Sequence, residues 1–462
     1  MKTTKLLHFG SMAFLIAAFS LASCEKDVTI ESGPDKKADL NQTPQKGFAE
    51  NTMVMTWNEK AGIVLTGPGT PPSKTRYFAM IEIAVHDALN SIKPKFQTFA
   101  LHNCREKKAN PDAVVASAAY WTMKGMNVQG THPIDDWYAE SLATIPDGEN
   151  KQLGIALGKK SADAIIAKRA DDNFAIADQV LPFPDGVAPG EYRSTLPFSN
   201  PGMPPIKALR EWGTLLTPFV TESNSQFRPS APHPINSPEY LADYNEVKSK
   251  GARVNHNRTA DQDEIGRFWV EINAFGWNRF ARNVIASKKI DAWKTARLFA
   301  LMHTAMADAI SGTLEAKYHY FYWRPETAIR LGDTDGNLNT VGDATWLPSY
   351  IESPNPVNQA MNVNTPPLPD YPSAHASFGG AAAEILRLFF ETDQISVDQT
   401  STSTPGITRH YSTLSGAARD NSLSRIYVGF HFRYAVLKGE TMGQEIAKYV
   451  FTNSFEEKEE GD

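Results

Sequence analysis

R-Y-F-A-M-I-E-I-A-V-H-D-A-L-N, residues 76–90, carries apolar side chains at 78, 81, 84, 85 and 88, and the pattern continues at 92. Steps of three and four residues keep these side chains on one face of an α-helix. A second stretch, R-L-F-A-L from Arg297, is followed at the same interval by A-M-A-D-A where the first has A-V-H-D-A. Asp87 and Asp308 therefore correspond, which predicts two similar helical halves. Both aspartates are expected to cap or bridge helices rather than to do chemistry.

Working outward, the same period predicts further helices at 112–128, 133–144, 149–171, 237–249, 259–285 and 290–311, and again at 376–392, 413–427 and 436–452. Strand-like alternation is nearly absent, so the expected class is all-α: two related helical bundles packed as one large domain, with the active site in the C-terminal bundle. Twelve prolines between 181 and 238 forbid long helices there and predict an ordered, wrapping connection. The expected organisation is a signal peptide at 1–23, a flexible tether at 24–50, an N-terminal half with its Pro-rich connection at 51–236, a C-terminal half at 237–453 and an acidic tail at 454–462. D-T-D-G-N at 333–337 lacks the glutamate an EF-hand needs at its twelfth position, which is Ala344, and reads as a turn.

At 462 residues the chain can bury a large core, and a net charge of −6 supplies no basic face for nucleic acid. Lys2 and Lys5, an apolar run from Met12 to Leu21 and then L-A-S-C have the form of an export signal. The last four residues resemble a bacterial lipobox. That resemblance implies cleavage before Cys24, lipid attachment there, and export to the outer membrane as a lipid-anchored protein. The second cysteine, Cys104, would then lack a partner and serve as a small buried hydrophobe.

Three blocks in the last third of the chain bring together residue types suited to an oxyanion. They are K-Y-H-Y-F-Y-W-R-P with Lys317 and Arg324, P-S-A-H with Ser373 and His375, and S-R-I-Y-V-G-F-H with Arg425 and His431. Lys317 and Arg324 are seven residues apart, nearly two helical turns, so a helix ending at Arg324 before Pro325 would put both on one face. The aromatic residues between them would wall the site. Pro372 and Ser373 open a small-residue segment in the manner of a helix N-terminus, whose free N–H groups favour an anion. Arg425 and His431 are six apart and share no helical face unless the helix stops, for which Gly429 offers a place.

K-x6-R-P, then P-S-x-H, then S-R-x5-H, in this order, resembles the vanadium-dependent haloperoxidase and type 2 phosphatidic acid phosphatase superfamily. P-P-L-P-D-Y-P-S-A-H-A-S-F-G-G and R-I-Y-V-G-F-H-F-R look like its haloperoxidase branch, as do R-P-S-A-P-H-P and N-R-T-A-D-Q, and the resemblance runs from about residue 53 to 452. It implies that Lys317, Arg324 and Arg425 hold the equatorial oxygens of vanadate or phosphate, helped by Ser373 and the backbone N–H of Ala374. His375 would be the acid–base residue, and His431 would bond vanadium, or attack phosphorus in a phosphatase. Leu368 and Tyr318 would line the pocket.

Two departures from the family pattern stand out. Ala374 replaces a common glycine, and Ala435 stands four residues after the final histidine, where an acid is frequent. His431 then needs another partner, for which a backbone carbonyl is the expectation.

The implied activity is peroxide-dependent halide oxidation with vanadate as cofactor. The alternatives are a soluble acid phosphatase working through a phosphohistidine on a phosphomonoester, or a surface lipoprotein that binds through a degenerate site. A membrane-type phosphatase would need several spanning helices, and none is expected after residue 24.

Overall fold

A computed structural model describes residues 50–67, 69–197, 199, 207–349 and 365–458. The signal peptide, most of the tether, Cys24 and the last four residues of the acidic tail lie outside them. The described residues form fifteen α-helices and two small two-stranded antiparallel sheets. The first half holds α1 (Thr52–Val64), α2 (Pro71–Ile92), α3 (Pro111–Gly125), α4 (Ile134–Ala143), α5 (Glu149–Lys168) and the short α6 (Phe174–Ala177) and α7 (Arg210–Thr214). The second holds α8 (Pro238–Lys250), α9 (Ala260–Phe268), α10 (Asn273–Ala286), α11 (Ala292–Tyr320), α12 (Pro325–Arg330), α13 (Ala374–Phe390), α14 (Leu414–Tyr427) and α15 (Arg433–Asn453).

The expected pairing of halves is visible in the packing. α2 lies against α3 and α5, α11 lies against α13 and α15, and α2 and α11 pack on each other through the middle. Both central helices are buried on nearly every face, polar residues such as Asp87 and Asp308 included. Each begins at a side-chain cap, Thr70 before Pro71 and Asp291 before Ala292. The two matched aspartates do the same job. Asp87 accepts the backbone N–H groups of Phe99, Ala100 and Leu101, and Asp308 those of Phe219, Val220 and Thr221. Each buried carboxylate thus fastens an incoming loop to its helix, and the rings of Phe99 and Phe219 meet at 6.1 Å.

Four helices also share a buried polar chain. Glu82 of α2 accepts from Asn58 of α1 (2.9 Å), and Asn58 donates to Asn278 of α10 (2.8 Å). His303 of α11 bonds the same Asn278 oxygen (2.9 Å), and Arg282 bonds Asn58 (2.9 Å). Burial pushes the Glu82 carboxyl up to about 7, against the Asn58 bond and the Arg282 charge. A carboxyl whose folded pKa is raised stabilises fully below its unfolded value of 4.5, and that contribution is lost as pH rises through 7. Between pH 5 and pH 8 this group is expected to remove about 2–3 kcal/mol of stability. Glu82→Gln keeps the acceptor for Asn58 and should flatten that slope, which urea midpoints at the two pH values will show.

Four sequence expectations change. The helix expected over 259–285 is two, α9 and α10, broken at residues 269–272. The run after residue 392 is not only loop: β3 (Gln394–Thr400) and β4 (Thr408–Thr413) pair antiparallel, complementing the two-residue strands β1 (Leu181–Pro182) and β2 (Lys207–Ala208). α11 ends at Tyr320, four residues before Arg324. Cys104 is buried as expected, but it is not without a partner, so the expected unpartnered thiol is corrected. The turn at 333–337 stands, closed by Asp335 accepting from Asn337 and Thr340.

The described part of the Pro-rich connection wraps the second half. Tyr192 donates to Phe321 O (2.7 Å) and Trp323 to Gly190 O (3.0 Å), while the hydroxyls of Tyr320 and Tyr322 donate to Pro229 O and His233 O. The aromatic run between Lys317 and Arg324 is thereby roofed.

Candidate active site

The three blocks meet. Lys317 sits in the last turn of α11, Arg324 is the N-cap residue of α12, and Ser373 is the N-cap of α13, with Ala374 and His375 in its first turn. Arg425 lies in the last turn of α14, and His431 follows in the bend between α14 and α15. Lys317 and Arg324 do not share one helix face. Phe321, at φ 49°, takes a left-handed conformation that turns the chain back, and Arg324 starts the next helix with Pro325 at its first position. Gly429, at φ 81°, ends the α14 turn as expected, and both Phe430 and His431 N–H point back to Arg425 O.

Lys317, Arg324, Ser373, Arg425 and His431 are all at most 5% exposed. Ala374 and His375 keep partial exposure, so the site opens at the N-terminus of α13. Lys317 Nζ donates to Pro369 O (2.6 Å) and Asp370 O (3.0 Å). Arg324 Nε donates to Leu368 O (2.7 Å) and Nη1 to Phe430 O (2.9 Å). Arg425 stacks its guanidinium on the Phe430 ring at 4.8 Å. Ser373 is held by its N–H to Ala435 O (2.9 Å), and its hydroxyl accepts from Ala376 N–H. Ala374 has ordinary helical torsions, so its methyl introduces no backbone strain. Tyr318 turns toward the Pro-rich connection, its hydroxyl accepting Leu209 N–H.

His431 does have a side-chain partner, and it is not a backbone carbonyl. Nδ1 lies 2.8 Å from Asp370 Oδ1, and Nε2 lies 2.9 Å from Arg324 Nη1. Arginine can only donate, and Arg324 Nη1 also lies 3.4 Å from Nδ1, so what favours the proton at Nδ1 and the lone pair at Nε2 is the approach of the Asp370 carboxylate to Nδ1. Burial and the charges of Arg324, Lys317 and Arg425 hold this imidazole well below its usual range, hence neutral. His375 is also neutral, through burial and the Arg425 charge, and donates Nε2–H to Trp269 O, which leaves Nδ1 as the basic nitrogen. Its own carbonyl accepts from Asn273 (2.6 Å) and Asn421 (3.0 Å). The break between α9 and α10 now has a use: it frees the Trp269 carbonyl for His375.

Asp370, Trp269, Asn273 and Asn421 were not singled out from the sequence. Asp370 had a signal, being the acid inside P-D-Y-P-S; the others had none, because a freed carbonyl and two distant amides become neighbours only in the fold.

Arg324 and Lys317 act on one buried carboxylate, Asp370, whose own carboxyl burial pushes up to about 7 against their pull. Burial pulls the Lys317 ammonium well below its ordinary value, and the Arg324 and Arg425 charges add to this. Buried positive charge in excess of its counter-charge is costly, and a multi-oxygen anion at the α13 N-terminus would offset it. The donor set therefore fits vanadate or phosphate: three cations, a hydroxyl, free helix N–H groups and an imidazole lone pair. Among the described residues no group of His, Cys, Asp and Glu side chains forms a cation site.

A family model described as the VCPO second helical-bundle domain matches residues 297–457, from α11 to just past α15. The vanadium chloroperoxidase of Curvularia inaequalis is 25% identical over 476 aligned positions, which span 80% of this chain and 75% of that protein. Among solved structures, a bacterial vanadium-dependent iodoperoxidase superposes with a TM-score of 0.71 at 21% identity, covering 90% of this chain and 100% of that one. A holo-type bacterial vanadium-dependent chloroperoxidase superposes with a TM-score of 0.62 at 15% identity, covering 88% and 97%. These two share the fold. Through its ordered motifs and the match of its second helical bundle, the chain is similar to the vanadium haloperoxidases.

Proposed function

We propose that this protein is a vanadate-dependent haloperoxidase that takes hydrogen peroxide and halide as substrates. The observation that carries the reading is a neutral His431 presenting its Nε2 lone pair into a cluster of three buried cations. When bound, vanadate would supply Lewis-acid activation of hydrogen peroxide, so that peroxide, halide and a proton give hypohalous acid and water.

Lys317, Arg324 and Arg425 would hold the anion's oxygens, and Ser373 with the Ala374 N–H would add hydrogen bonds at the helix start. Arg324 would give up its contact with Nε2 and keep those to Leu368 O and Phe430 O. His375, at the open side, would take up and return a proton at Nδ1, its ring fixed by Trp269 O. The aromatic roof keeps the surroundings poor in water, which strengthens each contact to the anion.

The test is to purify the protein, titrate it with vanadate, and follow peroxide-dependent bromide and iodide oxidation beside p-nitrophenyl phosphate hydrolysis. Oxidation that needs vanadate is the expected result. Phosphate ester hydrolysis that vanadate inhibits, without halide oxidation, would replace this reading with the phosphatase.

For its location we propose export and lipid attachment at Cys24, a reading supported by the N-terminal sequence alone. A lipidated Cys24 cannot also pair, and Cys24 and Cys104 are the chain's two cysteines. The intact mass of protein recovered from membranes decides. A diacylated N-terminal cysteine supports the anchor, and a lipid-free chain with an oxidised cysteine pair sinks it.

A further inference from the structure

Asp370 touches the Tyr322 backbone, Lys317, Arg324 and His431. Its N–H donates to Tyr322 O (2.8 Å) inside the first block, and its own carbonyl accepts Lys317 Nζ. Its carboxylate faces His431 Nδ1 at 2.8 Å and stands 3.9 Å from Arg324 Nη1. The residue is fully buried, so this geometry does not compete with bulk water. Position 435, one turn into α15, offers only a methyl group, and its carbonyl is spent on Ser373 N–H.

We propose that Asp370 is the positioning residue of this site: reaching over from the loop before Pro372, it fixes the Nδ1–H form of His431 and so keeps Nε2 available to the bound anion. A lone imidazole exchanges between its two neutral forms, and Nε2–H is the commoner one; an acceptor on Nδ1 reverses the choice. Without Asp370 the ring would turn its Nε2–H, rather than its lone pair, toward the cations. The neighbouring carboxylate Asp243 lines the same small cavity as Asp370 and accepts Tyr434 N–H (2.8 Å), and it touches neither histidine nitrogen.

The proposal rests on the haloperoxidase reading for its purpose and not for its test. In the vanadate-free full chain with 15N-labelled histidine, the ring nitrogen shifts of His431, assigned by their loss in His431→Ala, report the proton's position directly. The wild type should show a protonated Nδ1 and a bare Nε2. Asp370→Ala, or Asp370→Ser if alanine does not fold, should move the proton to Nε2. Asp370→Asn keeps an acceptor oxygen and should retain the wild-type pattern, as should Asp243→Asn.

Inorganic phosphate or vanadate, titrated calorimetrically, should bind Asp370→Ala about 10–100-fold more weakly. An unchanged proton position in both Asp370→Ala and Asp370→Ser would overturn the proposal. If the shift occurs but the wild type never oxidises halide with vanadate, the positioning role stands and the activity assignment falls.

Discussion

His431→Ala is expected to abolish vanadate-dependent halide oxidation while leaving a folded protein. Losing a contact that merely supports a ligand costs roughly 10–100-fold, and losing the ligand nitrogen itself must cost more, on the order of 10³-fold or beyond in turnover at fixed vanadate. The cations remain in place after the substitution. Arg324 still donates to Leu368 O and Phe430 O, and Lys317 to Pro369 O and Asp370 O. Weak electrostatic binding of the anion should therefore survive, without the bond that orders it. Asp370 loses the imidazole nitrogen that stands 2.8 Å from its carboxylate and is left with Arg324 at 3.9 Å, a penalty of about 1–3 kcal/mol in stability.

His375→Ala gives the contrasting result. His375 bonds Trp269 O rather than the cations, so vanadate affinity should change little, while turnover falls by about 10²–10⁴-fold through loss of the proton carrier. Vanadate titration, steady-state bromide oxidation and thermal unfolding of the two variants measure this split. Equal loss of affinity in both would show that the two histidines do not have separate tasks.

The sequence exposes the side chains that chemistry demands and hides the groups that aim them. Lys317, Arg324, Ser373, Arg425 and His431 were legible because each sits in a short block whose order and spacing are unusual, and the fold places them as those blocks suggest. The reason offered for Lys317 and Arg324 was wrong even so: a shared helix face was expected, and a left-handed turn at Phe321 does the work. Ala435 looked like a missing carboxylate. The fold supplies one from Asp370, 61 positions before His431 in the sequence and 2.8 Å from it in space.

The break in 259–285 was invisible for a related reason. Apolar period continues through Trp269, and what holds the break is tertiary: His375 bonds the Trp269 carbonyl and Glu271 accepts from the Thr402 hydroxyl. The β3–β4 hairpin escaped notice because Val397 and Gln399 are the buried positions of β3 and Tyr411 that of β4, too few to make an alternation.

Gly439→Ala is expected to damage stability and anion binding together, because α15 crosses α13 with no room for a side chain at that point. A methyl group there would sit 2.3 Å from Ser373 O and 3.1 Å from Ser373 N, both backbone atoms at the start of α13. Real carbon–oxygen contacts do not come so close, so one helix must move. Gly380 on α13 faces Glu440 O in the same manner, at 2.3 Å, which blocks relief by sliding along the seam.

The displacement falls on the residue that opens the anion site. Ser373 N–H is bonded to Ala435 O, one turn before Gly439 on the same helix, and pushing α15 away stretches that bond. Overpacking of this kind costs about 1–3 kcal/mol, and phosphate or vanadate affinity should fall with it because Ser373 and the Ala374 N–H shift relative to Lys317 and Arg425. Gly62→Ala serves as the comparison. It lies in the last turn of α1 with Asn278 Nδ2 at 3.6 Å, an ordinary contact, so alanine's better helix propensity should leave stability unchanged or raise it by up to ~1 kcal/mol. Denaturant midpoints and anion titrations on the two variants separate the cases. A Gly439→Ala protein as stable as Gly62→Ala, binding phosphate like the wild type, would mean that the α13–α15 seam does not set the geometry of the site.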